Sequence, residues 1–412
     1  MPERLYLPRV PSHGPRAGDV DLRVLRRRTM SRLARGTRHR ASRVSPAFPR
    51  RGGAIFLKGR SVSIETTSGA VQDFVQDGLA VRVVFGNGTS GDLVAEANRL
   101  GIAAAVTVCT PSVRRRATRL GRRLTGPMRT VGADCGDFEE VAAGIASAVA
   151  ERTALSGVLA VGGGSAMVVA RRLGGLTGMP VLAVPTSYAG RETSAEQSGA
   201  PLPATIVYDP VLTTTLPPHI TATSTMASIA RACLVLCAGA VSPLTEMTAG
   251  EAIRYLCEGA YDAVLHPRGL VGRSRLLYGA HLSGLALAGA GTAAAATVHT
   301  ALAVDEAIGR VLGARCDDVT AALLPHRLAA AGAQRPLALA AIAATLRADD
   351  AVTGVQAVAA ELGAPTALSA LQLDPARLER AIAAVQTVSG QFGLSPVERA
   401  AVEAALSGRD PA

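Results

Sequence analysis

From Leu79 onward, apolar residues fall in short runs separated by stretches with helical spacing, the pattern of a chain that alternates strand and helix. The run Leu79–Phe85 ends at Gly86-Asn87-Gly88, a tight turn, and Asp92–Leu100 reads as a helix. Ala103–Cys109 is short and β-branched, the basic segment Ser112–Leu124 is helical, Met128–Val131 is a strand, and Phe138–Ala150 is again helical. Gly157–Val161 runs into Gly162-Gly163-Gly164-Ser165 and a helix through Leu173. Val181–Val184 then leads to Pro185-Thr186-Ser187-Tyr188-Ala189-Gly190, and a last strand-like run covers Ala204–Pro210. From Pro217 to the end the spacing is that of Ala- and Leu-rich helices, with almost no strand signal. The expected fold is an α/β N-terminal domain, with a doubly wound, mostly parallel sheet covered on both faces, followed by an all-α C-terminal domain.

Composition narrows this picture. The chain has 412 residues, 48% of them hydrophobic and 18% charged, with 3% aromatics and no Trp, so two ordinary cores must be built from Ala, Val and Leu. A net charge of +11 would point to a nucleic-acid or membrane partner if it covered the body. It does not: residues 1–53 hold fourteen Arg against Glu3, Asp19 and Asp21, which accounts for the whole surplus. That leader, with Arg23–Arg43 at its centre, has no apolar run for a signal core or membrane span. It reads either as an RNA- or membrane-surface-binding arm, since clustered guanidinium groups attract phosphates, or as a disordered extension, with Met30 as an alternative start. The lack of interleaved aromatics and of an amphipathic period favours the extension. The six Cys (109, 135, 233, 237, 257 and 316) form no CxxC pair, which predicts buried thiols and a cytoplasmic setting.

The candidate chemistry begins at Val158–Arg172. Three glycines between a strand and a helix let backbone approach a ligand closely, and the helix start offers free N–H groups to an anion such as a pyrophosphate. The Pro185–Gly190 loop lies at the end of another strand, where open α/β sheets gather ligands. Expected cofactor contacts are Gly162, Gly163, Gly164, Ser165, Pro185, Thr186, Ser187 and Tyr188.

Taken in order, Phe85–Thr89, the glycine turn with its helix, Pro185–Gly190 followed by Glu192, Val207–Pro218 and Leu323–Leu328 resemble maleylacetate reductases of the iron-containing alcohol dehydrogenase superfamily. That superfamily is also similar in fold to dehydroquinate synthase. The resemblance implies an NAD- or NADP-binding domain over 54–213, after the leader 1–53, and a helical domain over 214–412 that completes a cleft. It implies hydride transfer between a nicotinamide and a carbonyl or enol carbon. It also implies that Tyr188 borders the cofactor, either as a wall or as a catalytic proton donor, and that His299, matching a family His near the nicotinamide, relays a proton. Arg171 stands where a Lys is usual, so a cation near the phosphates is retained. Between Gly190 and Thr205 the chain is shorter than the reductases.

The metal site departs from the pattern. Alcohol dehydrogenases of the superfamily bind a divalent ion through an Asp and a His four residues apart on a helix, plus two further His. The matching positions here are Ala227 and Arg231, then Ala295 or Leu302, then Cys316. No HxxxH occurs, so no metal is expected. Arg231 is the candidate substitute, a permanent cation able to hold a carboxylate or enolate, with Arg191 as a second carboxylate contact. Two functions follow. The first is a metal-independent NAD(P)H-dependent reductase of a carboxylated enone, enol or ketone. The second is a non-redox member of the family, a cyclase, lyase or isomerase in specialised metabolite biosynthesis, or an inactive scaffold. The expected partner is a small carboxylated molecule, with neither specific nucleic acid nor membrane involved, and a homodimer is expected.

Overall fold

The computed structural model describes residues 81–411, apart from 125, 132–136, 153, 195–199, 240, 372–374, 393–395 and 407–410. The basic leader, the start of the first expected strand and Cys135 lie outside the described residues. Gly69–Ala412 form one compact unit.

Six parallel strands make the sheet: β1 (Arg82–Phe85), β2 (Ala105–Cys109), β3 (Met128–Thr130), β4 (Gly157–Gly162), β5 (Val181–Pro185) and β6 (Thr205–Tyr208). Their order across the sheet is β1-β6-β5-β4-β2-β3. The helices between them are α1 (Leu93–Arg99), α2 (Arg114–Leu120), α3 (Phe138–Val149) and α4 (Gly164–Thr177). Alternate strand residues enter different cores. Leu159, Val161, Leu182 and Val184 pack with Leu93 and Ala117 of α1 and α2. Val158, Ala160 and Ala183 pack on the opposite face with Phe138, Ile145 and Met167 of α3 and α4. A strand buried on both faces explains why β4 and β5 read as unbroken apolar runs.

α4 runs four residues beyond the expected stop at Leu173. The glycines that follow Leu173 do not end the helix, and Gly174 is a close-packing position: a Cβ there would stand 2.5 Å from Val181 Cγ2. The true cap is Gly178, at φ 70, a left-handed conformation that glycine adopts without strain.

Nine helices follow the sheet among the described residues, α5 (Pro218–Cys237), α6 (Pro243–Leu265), α7 (Leu270–Ala288), α8 (Gly291–Leu312), α9 (Cys316–Ala331), α10 (Pro336–Leu346), α11 (Ala351–Leu362), α12 (Pro375–Phe392) and α13 (Pro396–Leu406). By length and apolarity α5 alone among them could cross a membrane, but it is the central core helix, buried from Thr221 to Leu236. α6 and α7 cross at near-backbone distance, since a Cβ on Gly259 or Gly272 would come within 2.8 Å of the facing backbone N–H. Asp305 and Arg327, fully buried, tie α8 to α9 through a 2.7 Å ion pair.

Candidate active site

The chain leaves β2 outward to β3 and leaves β4 the other way to β5, so β2 and β4 flank a topological switch point. Beyond the carboxyl ends of such strands a crevice is left that loops cannot cover, the usual ligand position in this architecture. A cavity of about 290 Å³ lies there. On the sheet side it is lined by Thr110, Ser112 and Val113 after β2, by Gly163–Ser165 after β4, and by Thr186 and Ser187 after β5. Facing these are Leu216, Pro217, His219 and Ile220 at the start of α5, Arg315, Cys316 and Asp317 at the start of α9, and Arg191.

The glycine turn is shaped by what surrounds it. A Cβ on Gly162 would stand 3.2 Å from Thr110 Oγ1, one on Gly163 3.0 Å from Ser187 Oγ, and one on Gly164 2.9 Å from Arg191 Cδ. No side chain caps α4, so the N–H groups of its first turn stay open to an anion. Of the expected cofactor contacts, Gly163, Gly164, Ser165, Thr186 and Ser187 line the cavity. Gly162 lies beneath them, its carbonyl accepting from the Thr186 N–H at 2.8 Å, and Pro185 pairs with it in the sheet register.

Tyr188 is turned inward. It is fully buried, and its hydroxyl accepts from Arg273 Nη1 at 2.9 Å, while the same nitrogen donates to Thr221 Oγ1 at 3.1 Å. Burial pushes the phenol above its ordinary range, and Arg273 pulls it back. The side chain fastens the loop to α5 and α7 and does not border the cavity, contrary to expectation.

Arg231 is likewise in the core. Its Nη2 donates to the Ala189 carbonyl at 2.7 Å, its Nη1 to Ser228 and Ser283 hydroxyls at 3.4 Å, and its Nε has no partner. Burial and the nearby charge of Arg191 lower its pKa to about 10, against the pull of Glu192 and Asp317. The loop closes directly over it: Gly190 sits at φ 64, and a Cβ there would be 2.8 Å from Arg231 Nη1. Arg231 thus fills the ligand position with a cation aimed at main-chain oxygen, leaving Arg191 as the expected cation that reaches the cavity.

His299 does not line the cavity either. α8 buries Ala294, Val298, Ala301 and Asp305 as a stripe at helical spacing, and His299, one residue past Val298, lies off that stripe. Arg171 serves neither phosphate nor solvent. Fully buried, it donates to the carbonyls of Arg191, Ser194, Ala200 and Pro201, clamping the shortened loop.

The residues at the ligand positions do not fit a divalent metal. Ala227 has no donor atom, Arg231 is a cation, Ala295 and Leu302 pack against the apolar core, and Cys316 is disulfide-bonded. Among the described residues no group of three or more His, Cys, Asp or Glu could hold an ion. Cys316 also corrects the expectation of thiols throughout, which holds for Cys109, Cys233, Cys237 and Cys257. A disulfide requires only proximity in space, which sequence spacing does not reveal. Arg315 and Asp317, paired at 3.7 Å, and His219 were not singled out from the sequence. The signal was present for the first two, which flank the counted ligand position Cys316.

Behind the loop lies a buried polar chain. Tyr208 donates its hydroxyl to Glu192 Oε1 at 2.8 Å and meets His281 Nδ1 at 3.1 Å, so the imidazole enters as the Nδ1–H donor. Burial lowers the His281 pKa to about 4 and raises that of Glu192. A depressed His pKa contributes stability that is complete above the unfolded value near 6.5 and is lost as pH falls toward about 4. Glu192 has the opposite sign, its contribution being present at low pH and lost as pH rises. Urea unfolding at pH 7 and pH 4.5 should show a drop of about 2–3 kcal/mol attributable to His281. The difference between the protein and His281→Phe isolates it, and equal pH slopes for the two would refute the assignment.

A glycine-turn crevice at the switch point of a parallel sheet, closed by a helical half, defines the class: a two-part, dehydrogenase-type nucleotide fold. Comparison with known proteins agrees. The chain is 33% identical over 300 residues to maleylacetate reductase 2 of Cupriavidus pinatubonensis, covering 68% of this chain and 80% of that protein. It is 31% identical over 350 residues to maleylacetate reductase of Rhizobium sp. strain MTP-10005, covering 82% of this chain and 97% of the relative. The crystal structure of the latter superposes with a TM-score of 0.68 at 28% identity, over 82% of this chain and all of that one. The chain belongs to the maleylacetate reductase family, within the iron-containing alcohol dehydrogenase superfamily. A sulfoacetaldehyde reductase from Bifidobacterium kashiwanohense, solved in complex with NAD+, shares the fold at 19% identity and a TM-score of 0.62. No protein-family profile matches the chain.

Proposed function

We propose that this protein is an NAD(P)H-dependent oxidoreductase that reduces a small carboxylated enone, enol or ketone without a catalytic metal. The observation that carries the reading is the cavity itself, which sets the open glycine turn against Arg191 and Arg315. A bound nicotinamide would supply the hydride. Gly163, Gly164 and Ser165 hold the pyrophosphate, and Thr186 and Ser187 border it. Arg191 and Arg315 hold the substrate carboxylate and offset the negative charge that builds on its oxygen. His219, on the facing wall, is placed to exchange a proton with bound substrate. Residues 54–213 and 214–412 act as the nucleotide-binding and cleft-closing halves.

One observation favours the non-redox alternative: Tyr188 and Arg231, two side chains the family pattern offered for chemistry, both face the interior. Titration decides between the two readings. Protein treated with chelator should quench or enhance the fluorescence of NADH or NADPH on binding, with a micromolar Kd. No binding of either nucleotide would transfer the cleft to non-redox chemistry.

A further inference from the structure

We infer that the nucleotide site selects NADPH over NADH, through a 2′-phosphate subsite at the carboxyl end of β2. The inference rests on the function proposed above. The direction of the nucleotide follows from the order in which strand ends meet the glycine turn: Thr110 at Gly162, Ser187 at Gly163 and Arg191 at Gly164. The reacting end belongs on the side of Arg191, where the cations for a carboxylate are. The adenosine end therefore extends the other way, over β2, between Thr110–Val113 and the apolar wall of Leu216, Pro217 and Ile220.

In doubly wound folds an acidic side chain near this point accepts hydrogen bonds from the ribose hydroxyls of NAD, whereas Arg accommodates the phosphate of NADP. Among the described residues no acid follows β2 in the cavity lining. β2 ends in Cys109-Thr110-Pro111-Ser112, with the two hydroxyls 3.4 Å apart and both facing the cavity. Arg114 and Arg115 follow just past the cavity lining, exposed, and neither guanidinium has an ion-pair or hydrogen-bond partner among the described residues. Arg114 is close enough to the strand end to pull down the Cys109 thiol, which burial pushes up. Arg116 is already engaged, donating to the Leu212 carbonyl and to Thr215 Oγ1. Of the acids on neighbouring elements, Asp318 faces Arg315, Asp317, Thr223 and His219, and Asp209 and Asp317 are occupied. Asp209 accepts from the N–H groups of Gly88, Ser90 and Val211 and from the Ser90 hydroxyl. Asp317 is paired with Arg315 on the opposite wall, at the start of α9. Two hydroxyls and two guanidinium groups suit a dianionic phosphate, whereas a ribose diol would meet only neutral hydroxyl acceptors and no carboxylate.

Calorimetric titration with four probes tests this directly: NADPH, NADH, 2′,5′-ADP and ADP. NADPH should bind at least about tenfold tighter than NADH, and 2′,5′-ADP tighter than ADP by a similar factor, both margins shrinking as salt rises. In Arg114→Ala/Arg115→Ala both ratios should fall toward one, and Ser112→Asp, which places a carboxylate beside the phosphate, should invert them. Equal or tighter binding of NADH by the unaltered protein overturns the inference while leaving the proposed reductase intact. Failure of all four probes to bind overturns both.

Discussion

Arg191→Met is expected to lower kcat/KM for the carboxylated substrate by about 10²- to 10³-fold while thermal stability barely moves. Arg191 has no ion-pair partner among the described residues, and its stem lies against Gly164 at the mouth of the cavity. It is close enough to Arg231 to disfavour that residue's charge, and Glu192, which counters this, is buried and held by Tyr208. Glu192 is engaged by Tyr208 and Asp317 by Arg315, which leaves positive charge on the two arginines for an incoming anion. A planar guanidinium binds a carboxylate by two parallel hydrogen bonds, which an ammonium cannot reproduce, so Arg191→Lys should recover only part of the loss. Steady-state kinetics with NADPH or NADH check this. If the Met variant keeps its rate, the carboxylate contact lies elsewhere.

Arg171→Met is expected to destabilise the fold by about 3 kcal/mol or more, among the larger single-residue effects. The guanidinium donates to four carbonyls at 2.5 to 3.1 Å, and none of those oxygens belongs to a helix or strand ladder. Methionine fills similar volume but leaves the carbonyls with no donor. Because one of them belongs to Arg191, the same change should also raise KM. Thermal unfolding and kinetics together separate this from a mere surface effect. A Tm within a degree of the unaltered protein would show that solvent takes over the carbonyls.

How far the sequence reveals such things depends on the distance over which a residue's surroundings are set. β4, β5 and the glycine turn could be read directly, since strand burial and tight turns leave a mark within a few residues. The helical half was legible as a class from Pro217 onward. Destinations of long polar side chains were not. Tyr188 faces inward because Arg273, 85 residues further on, meets its hydroxyl, and Arg231 is aimed at the Ala189 carbonyl because the loop folds over α5. Arg171 looked like a phosphate contact by position in the helix, yet carbonyls of a loop 20 to 30 residues on receive it. The wall opposite the glycine turn, with His219, Arg315 and Asp317, comes from two helix starts that only folding brings together.

The most direct test is turnover by protein stripped of metal. Oxidation of NADPH or NADH with a small carboxylated enone or ketone should be followed at 340 nm after dialysis against chelator, with metal content measured in the same sample. The account predicts unchanged turnover at less than about 0.05 metal ions per chain, since a guanidinium pair replaces the Lewis acid at the substrate oxygen. Activity that vanishes on chelation and returns with zinc or iron would contradict it.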